Sequence, residues 1–156
     1  MRILWITAAL SLAADAASKW LAAHYLQGTV RLGGLMHLRS THNTGMALGI
    51  FSNQALAGLL LPLTAIFCGW LLMRRYRLTR FTGLACGLVL GGFIGNYAQR
   101  LLQGAVLDMI YFPWMPWYVC NVADIAICGG VAMLALSLLV RPQDWQELRK
   151  DEEACK

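Results

Sequence analysis

Three observations predict an all-α membrane protein with four transmembrane helices. Of 156 residues, 58% are hydrophobic and only 13% are charged, against roughly 25% charged in an ordinary soluble domain. Apolar runs recur four times, at about 3–23, 55–73, 81–96 and 119–140, near the roughly 20 residues that cross a bilayer. Arg74, Arg75, Arg77 and Arg80 crowd into one stretch between two of these runs, which is membrane topology rather than a nucleic-acid footprint, although the net charge is +5. A soluble enzyme is excluded, because a chain of this size cannot hide so much apolar surface. Disorder and a collagen-like repeat are excluded too, since the 15 Gly and 4 Pro follow no three-residue period.

The first span, 3–23, contains Asp15 and Lys19 and begins after Arg2. A cleaved signal peptide is its rival reading, but the apolar run resumes after Asp15 through Trp20. The arginine stretch after the second span belongs in the cytoplasm by the positive-inside rule, and an even number of spans then places both termini there, as Arg2 and Arg141 agree. The third span repeats glycine every fourth residue, at Gly83, Gly87, Gly91 and Gly95. Such a stripe lets a second backbone approach closely and marks a central packing helix. The loops at about 24–54 and 97–118 face outward, and the tail 143–156 is a solvated cytoplasmic end.

Within the first outer loop, residues 29–39 read as a short β-hairpin. In the third, Tyr111, Phe112, Trp114, Trp117 and Tyr118 fall within eight residues, so this segment is expected on the outer leaflet. No domain boundary is visible, and 1–156 is read as one unit. The five cysteines form an odd set with no repeated spacing, three of them inside apolar runs, and read as core residues.

Carboxylates in or beside apolar spans cost on the order of 2.5–3.5 kcal/mol at a helix centre, so each needs a reason. Asp124 lies about five residues into the fourth span, Asp108 precedes it, and Asp15 sits deeper in the first. A topology derived only from arginines puts all three toward the outer side. Asn96 and Arg100 are four apart, Asn121 and Asp124 three apart, so each pair can share a helix face. Asn121 is open to a plain helix-cap reading, Asp15 and Lys19 to a plain buried ion pair, and Asn43 to a turn residue. His24, His37 and His42 share the first outer loop, but their spacing matches no common metal pattern.

No nucleophile elbow, H-E-x-x-H or phosphate loop is present. Two carboxylates near a dry interface do offer a chemistry. If Asp108 and Asp124 approach, repulsion and burial make them share a proton. The ionised member takes a proton from water attacking a peptide carbonyl, and the protonated member polarises that carbonyl and later protonates the leaving amine. One rival is a transporter or proton-relay bundle. It requires a polar path through the whole bilayer, whereas the inner ends of the second, third and fourth spans offer almost no ionisable residues.

The chain resembles the lipoprotein signal peptidase (signal peptidase II) family, four-span aspartyl peptidases of the bacterial inner membrane, over most of its length. Asp15-Ala16-Ala17-Ser18-Lys19 is similar to the family's D-x-x-S-K motif, and Asn43-Thr44-Gly45-Met46-Ala47 to its N-x-G-x-A segment. Gly95-Asn96 with Arg100, Gly104, Val106 and Asp108 resembles G-N-x-x-D-R-x-x-x-G-x-V-x-D, and Asn121-Val122-Ala123-Asp124 resembles N-x-A-D. Together and in this order the motifs are specific.

The resemblance implies that Asp108 and Asp124 are the catalytic pair, and that Asn43, Gly45, Asn96, Arg100 and Asn121 position substrate or pair, with Asp15 and Lys19 as support. It implies a monomeric, cofactor-free and metal-free peptidase working at the outer (periplasmic) side. Its substrates would be diacylglyceryl-modified prolipoproteins, cut just before the lipidated cysteine among membrane lipids, and its inhibitors globomycin-type peptides; nucleic acid is not an expected partner. It also implies an outer β-cradle and an outer amphipathic segment. Two positions depart: Gln99 stands where the family has Asp beside Arg100, and the Met46-Ala47-Leu48-Gly49 stretch lacks the usual Phe-rich continuation. They leave room for a diverged or catalytically silent lipoprotein-binding relative.

Overall fold

The structure, a computed structural model, describes residues 1–44, 64, 67, 69–71 and 74–146. Most of the expected second span at 55–73, the tail from 147 onward, and Gly45 lie outside the described residues. In chain order the elements are helix α1 (Arg2–Tyr25), strands β1 (Thr29–Leu32) and β2 (Met36–Asn43), helix α2 (Arg80–Gln103), strands β3 (Val106–Tyr111) and β4 (Val119–Cys120), helix α3 (Val122–Val140) and a 3-10 turn, Pro142–Trp145. The protein is mostly helical with a small antiparallel sheet. Helices α2 and α3 are long and apolar enough to cross a membrane. Helix α1 matches α2 in length, 24 residues each, or about 36 Å at 1.5 Å per residue.

The third span is longer than its hydropathy suggests. Polar residues from Tyr97 onward lower the local hydropathy but do not break a helix, and α2 runs on until Gly104, whose φ of 71° closes it with an N–H donated to the Arg100 carbonyl. Residues 97–103 are therefore helix, and 106–111 are strand, where a loop was expected. The fourth helix begins later than expected, at Val122, because Asn121 caps it. Asp124 is thus in the first helical turn rather than five residues deep.

The expected hairpin is present as β1 and β2, with Val30 opposite Leu38 and Gly33 at φ 75° in the turn. It is half of a larger structure. Strand β3 pairs antiparallel with β2 and with β4, giving a four-stranded sheet in the order β1-β2-β3-β4. Buried Leu107 and Met109 on β3 meet Ala22 near the end of α1, which seats the sheet on the helices. The aromatic stretch at 112–118 is not helical but a pair of turns between β3 and β4, with Met115 N–H donating to the Phe112 carbonyl and Tyr118 N–H to the Met115 carbonyl.

Helix α2 packs between its neighbours through glycine. A Cβ on Gly87 would lie 2.6 Å from the Leu4 carbonyl oxygen and one on Gly91 2.5 Å from that of Ala8, so this face presses directly on the α1 backbone. Gly92 faces the other way, 2.6 Å from the Ala123 oxygen of α3 by the same measure, and Gly130 of α3 returns the contact at Ala85. At the end remote from the sheet, buried Asp144 accepts hydrogen bonds from Arg141 Nε at 2.6 Å and Ser137 Oγ at 3.0 Å. The arginine is the main cause holding that carboxyl below the usual range.

Replacing Gly91 with Leu is expected to force α1 and α2 apart and to cost roughly 1–3 kcal/mol, the usual penalty of overpacking. Gly129, whose Cβ position meets nothing within 4 Å, is the control. Thermal unfolding in detergent should show a clear loss for Gly91→Leu and little for Gly129→Leu; equal losses would count against the close α1–α2 contact.

Candidate active site

The sheet and the helix ends enclose a pocket of about 430 Å³ lined by Asn43, Asn96, Arg100, Asp108, Asn121 and Asp124, with Thr41, Trp117 and Tyr118 among the others. Six of the residues singled out from sequence therefore meet, although they come from β2, α2, β3 and the start of α3. The two carboxylates are oriented by amides. Asn121 serves both: its backbone N–H donates to Asp124 Oδ2 at 3.1 Å, and its side-chain Nδ2 donates to Asp108 Oδ1 at 2.6 Å. Asn43 Nδ2 donates to Asp108 Oδ2 at 2.9 Å, and Asn96 Nδ2 to Asp124 Oδ1 at 2.8 Å. Each carboxylate oxygen thus receives one amide hydrogen bond.

Local structure explains why these side chains are in place. Asn121 is both a helix cap and a site residue. Its Oδ1 accepts from Asp124 N–H while the Asp124 carboxylate accepts from Asn121 N–H, the reciprocal capping box that satisfies free donors at a helix start. With Oδ1 committed to the cap, Nδ2 is left to face Asp108. On the sheet, a register shift between Leu38 and Thr41 brings Asn43 opposite Val106 and Thr41 opposite Asp108. Asn43 and Asp108 then stand diagonally on one face of the sheet.

Asp15 and Lys19 lie behind this pocket. Lys19 Nζ donates to Asp15 Oδ2 at 2.7 Å and to Asn96 Oδ1 at 2.8 Å, while Asp15 Oδ1 accepts the Ala123 backbone N–H at 3.0 Å. The pair is a buried ion pair, with side chains 8% (Lys19) and 1% (Asp15) exposed, and more than that, because it joins α1, α2 and α3. By occupying Asn96 Oδ1, Lys19 also turns the Asn96 NH₂ toward Asp124.

Asp108 stands on β3, outside the helices, and its pKa is raised. Burial is the main cause and the charge of Asp124 adds to it, while the hydrogen bonds from Asn43 and Asn121 pull the other way. Tyr118 is shifted upward as well, first by burial and then by the negative charge of Asp124, so it stays a neutral phenol. Trp117 and Tyr118 were read from sequence only as interfacial rings; their signal as pocket residues is their position four and three residues before Asn121. Gln99, flagged as a change beside Arg100, makes hydrogen bonds to the Leu107 backbone and to Gln103.

A helical protein with membrane-length apolar helices, carrying a carboxylate pair at the helix ends under a small sheet, is the class defined by this fold and pocket. Residues 7–140 match the family model for signal peptidase (SPase) II, and the chain belongs to that family of membrane peptidases. Curated proteins named lipoprotein signal peptidase are similar over most of their length. That of Thermosynechococcus vestitus is 36% identical, covering 86% of this chain and 90% of its own. Those of Rhodopseudomonas palustris and Bacillus subtilis are 35% and 32% identical, covering 86% and 87% of this chain and 90% and 92% of their own. Two solved structures described as bacterial membrane enzymes share the fold. The first has a TM-score of 0.77 at 22% identity over 89% of this chain and 88% of its own, the second 0.74 at 19% over 90% and 95%.

Removing one partner of a buried ion pair leaves the other charge uncompensated, which costs about 3–5 kcal/mol. Lys19→Met is expected to destabilise the protein by that order, and the double variant Asp15→Leu/Lys19→Met to recover part of the loss. Unfolding midpoints of the single and double variants test this through their coupling; strictly additive losses would contradict a paired role.

Proposed function

We propose that this protein is an aspartyl endopeptidase that removes the signal peptide from diacylglyceryl-modified prolipoproteins, cleaving before the lipidated cysteine at the outer leaflet of a bacterial inner membrane. The observation that carries the reading is the pair Asp108 and Asp124, each held by neutral amides in one pocket. Amide donors orient a carboxylate without neutralising it, so two such groups can share one proton.

In the mechanism this supports, the proton is assigned to Asp108, because Asp124 sits in the first turn of α3, where the helix N-terminus and the Asn121 backbone N–H favour an anion. Ionised Asp124 takes a proton from a water molecule as that water attacks the scissile carbonyl carbon. Asp108 donates its proton to the carbonyl oxygen, which forms a neutral tetrahedral diol. As the C–N bond breaks, it is Asp124, rather than the member that began protonated, that passes its acquired proton to the leaving amine, and a diol hydroxyl returns a proton to Asp108. The products are a carboxyl-ended signal peptide and a free amine on the lipidated cysteine.

The lipid anchor supplies much of the positioning. Acyl chains hold the cysteine at a defined depth, so binding energy far from the reacting bond brings the carbonyl to the carboxylates. Arg100, Asn43 and Gly45 are the residues assigned to align the peptide, with the arginine-rich end and both termini on the cytoplasmic side. Globomycin-type peptides would compete for this pocket.

Asp108→Asn and Asp124→Asn should each lower cleavage of a lipid-modified precursor by on the order of 10³-fold or more, the scale of losing a general acid or base. Both variants should remain folded by thermal unfolding. Full activity in either would sink the assignment. The profile of kcat/KM against pH should be bell-shaped, and its alkaline limb reports loss of the Asp108 proton. Because Asn43 stabilises the ionised form of Asp108, Asn43→Ala should raise that pKa further and move the alkaline limb to higher pH. A shift to lower pH would contradict Asp108 as the proton-bearing member.

A further inference from the structure

Strand β3, which bears Asp108, is paired unequally along its two edges. On one side β2 accompanies it from Val106 to Tyr111, whereas on the other β4 reaches only Ile110 and Tyr111. The N–H of Leu107 would therefore be left without a strand partner, although the residue is 4% exposed. A buried donor without an acceptor is costly.

Gln99 fills the gap. Its Oε1 accepts the Leu107 N–H at 3.1 Å, and its Nε2 donates to Gln103 Oε1 at 3.1 Å. The second bond turns the amide so that its carbonyl faces the strand. Leu107 immediately precedes Asp108, and Gln99 follows Asn96 by three residues on α2. One turn of α2 thus bears on both carboxylates: Asn96 holds Asp124 directly, and Gln99 holds the strand that carries Asp108. Gln99 itself lines a separate groove of about 440 Å³ between α1 and α2 rather than the pocket of the pair, so it acts through the strand.

We infer that Gln99, a neutral amide where the family pattern has Asp, is a positioning residue that clamps β3 to α2 and sets the separation of Asp108 from Asp124. This inference rests on the peptidase reading above. Its physical content is a single acceptor at a strand edge.

The test compares Gln99→Met, which keeps the length and removes the acceptor, with Gln99→Glu, which keeps an acceptor. The full-length protein in detergent micelles is assayed on a diacylglyceryl-modified precursor, with amide hydrogen exchange measured across 106–111. Gln99→Met is expected to lower kcat by about 10²-fold, the scale of a roughly 1 Å misplacement, with KM changed by less than about 2-fold. Exchange at β3 should rise in the same variant. Gln99→Glu should restore kcat to within about 10-fold of the wild type and protect β3. Unchanged kcat in Gln99→Met overturns the inference, and so does equal impairment of both variants. Absence of cleavage by the wild-type protein would instead bring down the peptidase reading itself, and this inference with it.

Discussion

Asp15 and Lys19 meet at 2.7 Å where three helices converge, and most of the site geometry depends on that contact. Two charges buried this deeply are tolerable only because their remaining hydrogen-bonding capacity is used productively. Asp15 takes the Ala123 backbone N–H at the start of α3, and Lys19 reaches Asn96 on α2. The same spot has no room for a larger neighbour, since a Cβ on Gly95 would sit 2.6 Å from Asp15 Oδ2. The glycine face of α2 and the ion pair are therefore one device: glycine permits the approach, and the charges make it specific.

From that junction, orientation passes outward through amides. Lys19 occupies one end of Asn96, so the other end must face Asp124; Asp124 and Asn121 cap one another, so the Asn121 amide must face Asp108. The donors that orient the two carboxylates from Asn43, Asn96 and Asn121 are neutral amides. The contrast with Asp144 at the far end of the bundle is instructive. There a buried carboxylate has Arg141 Nε at 2.6 Å and is held low, which suits a permanent anion. Asp108 is buried among amides and is held high, which suits a group that must gain and lose a proton.

Much of this was legible in the sequence because both membrane solvation and short motifs act locally. The sparseness of charge exposed Asp15, Asp108 and Asp124, and the i,i+3 and i,i+4 spacings put Asn121 with Asp124 and Asn96 with Arg100. Helix ends were less legible. Hydropathy falls at Tyr97 and rises at Val119, whereas the helices end and begin where backbone donors and acceptors are satisfied, at Gly104 and Asn121. The sheet was seen only in its first half, because β3 recruits its partner β2 from far along the chain and β4 has only two residues.

The sequence by itself determined that the chain is a membrane protein, which residues are too polar to lie idle there, and which family motifs they compose. Those conclusions follow from composition and spacing, which need no knowledge of distant contacts. Only the tertiary structure decided which atoms of each amide face which carboxylate, that Asn121 is cap and site residue together, and that Gln99 serves the Leu107 backbone. Such choices arise when segments as far apart as Asp15 and Ala123, or Asn43 and Asp108, compete for the same few hydrogen bonds. An amide has two different ends, and only the surrounding fold determines which way it turns.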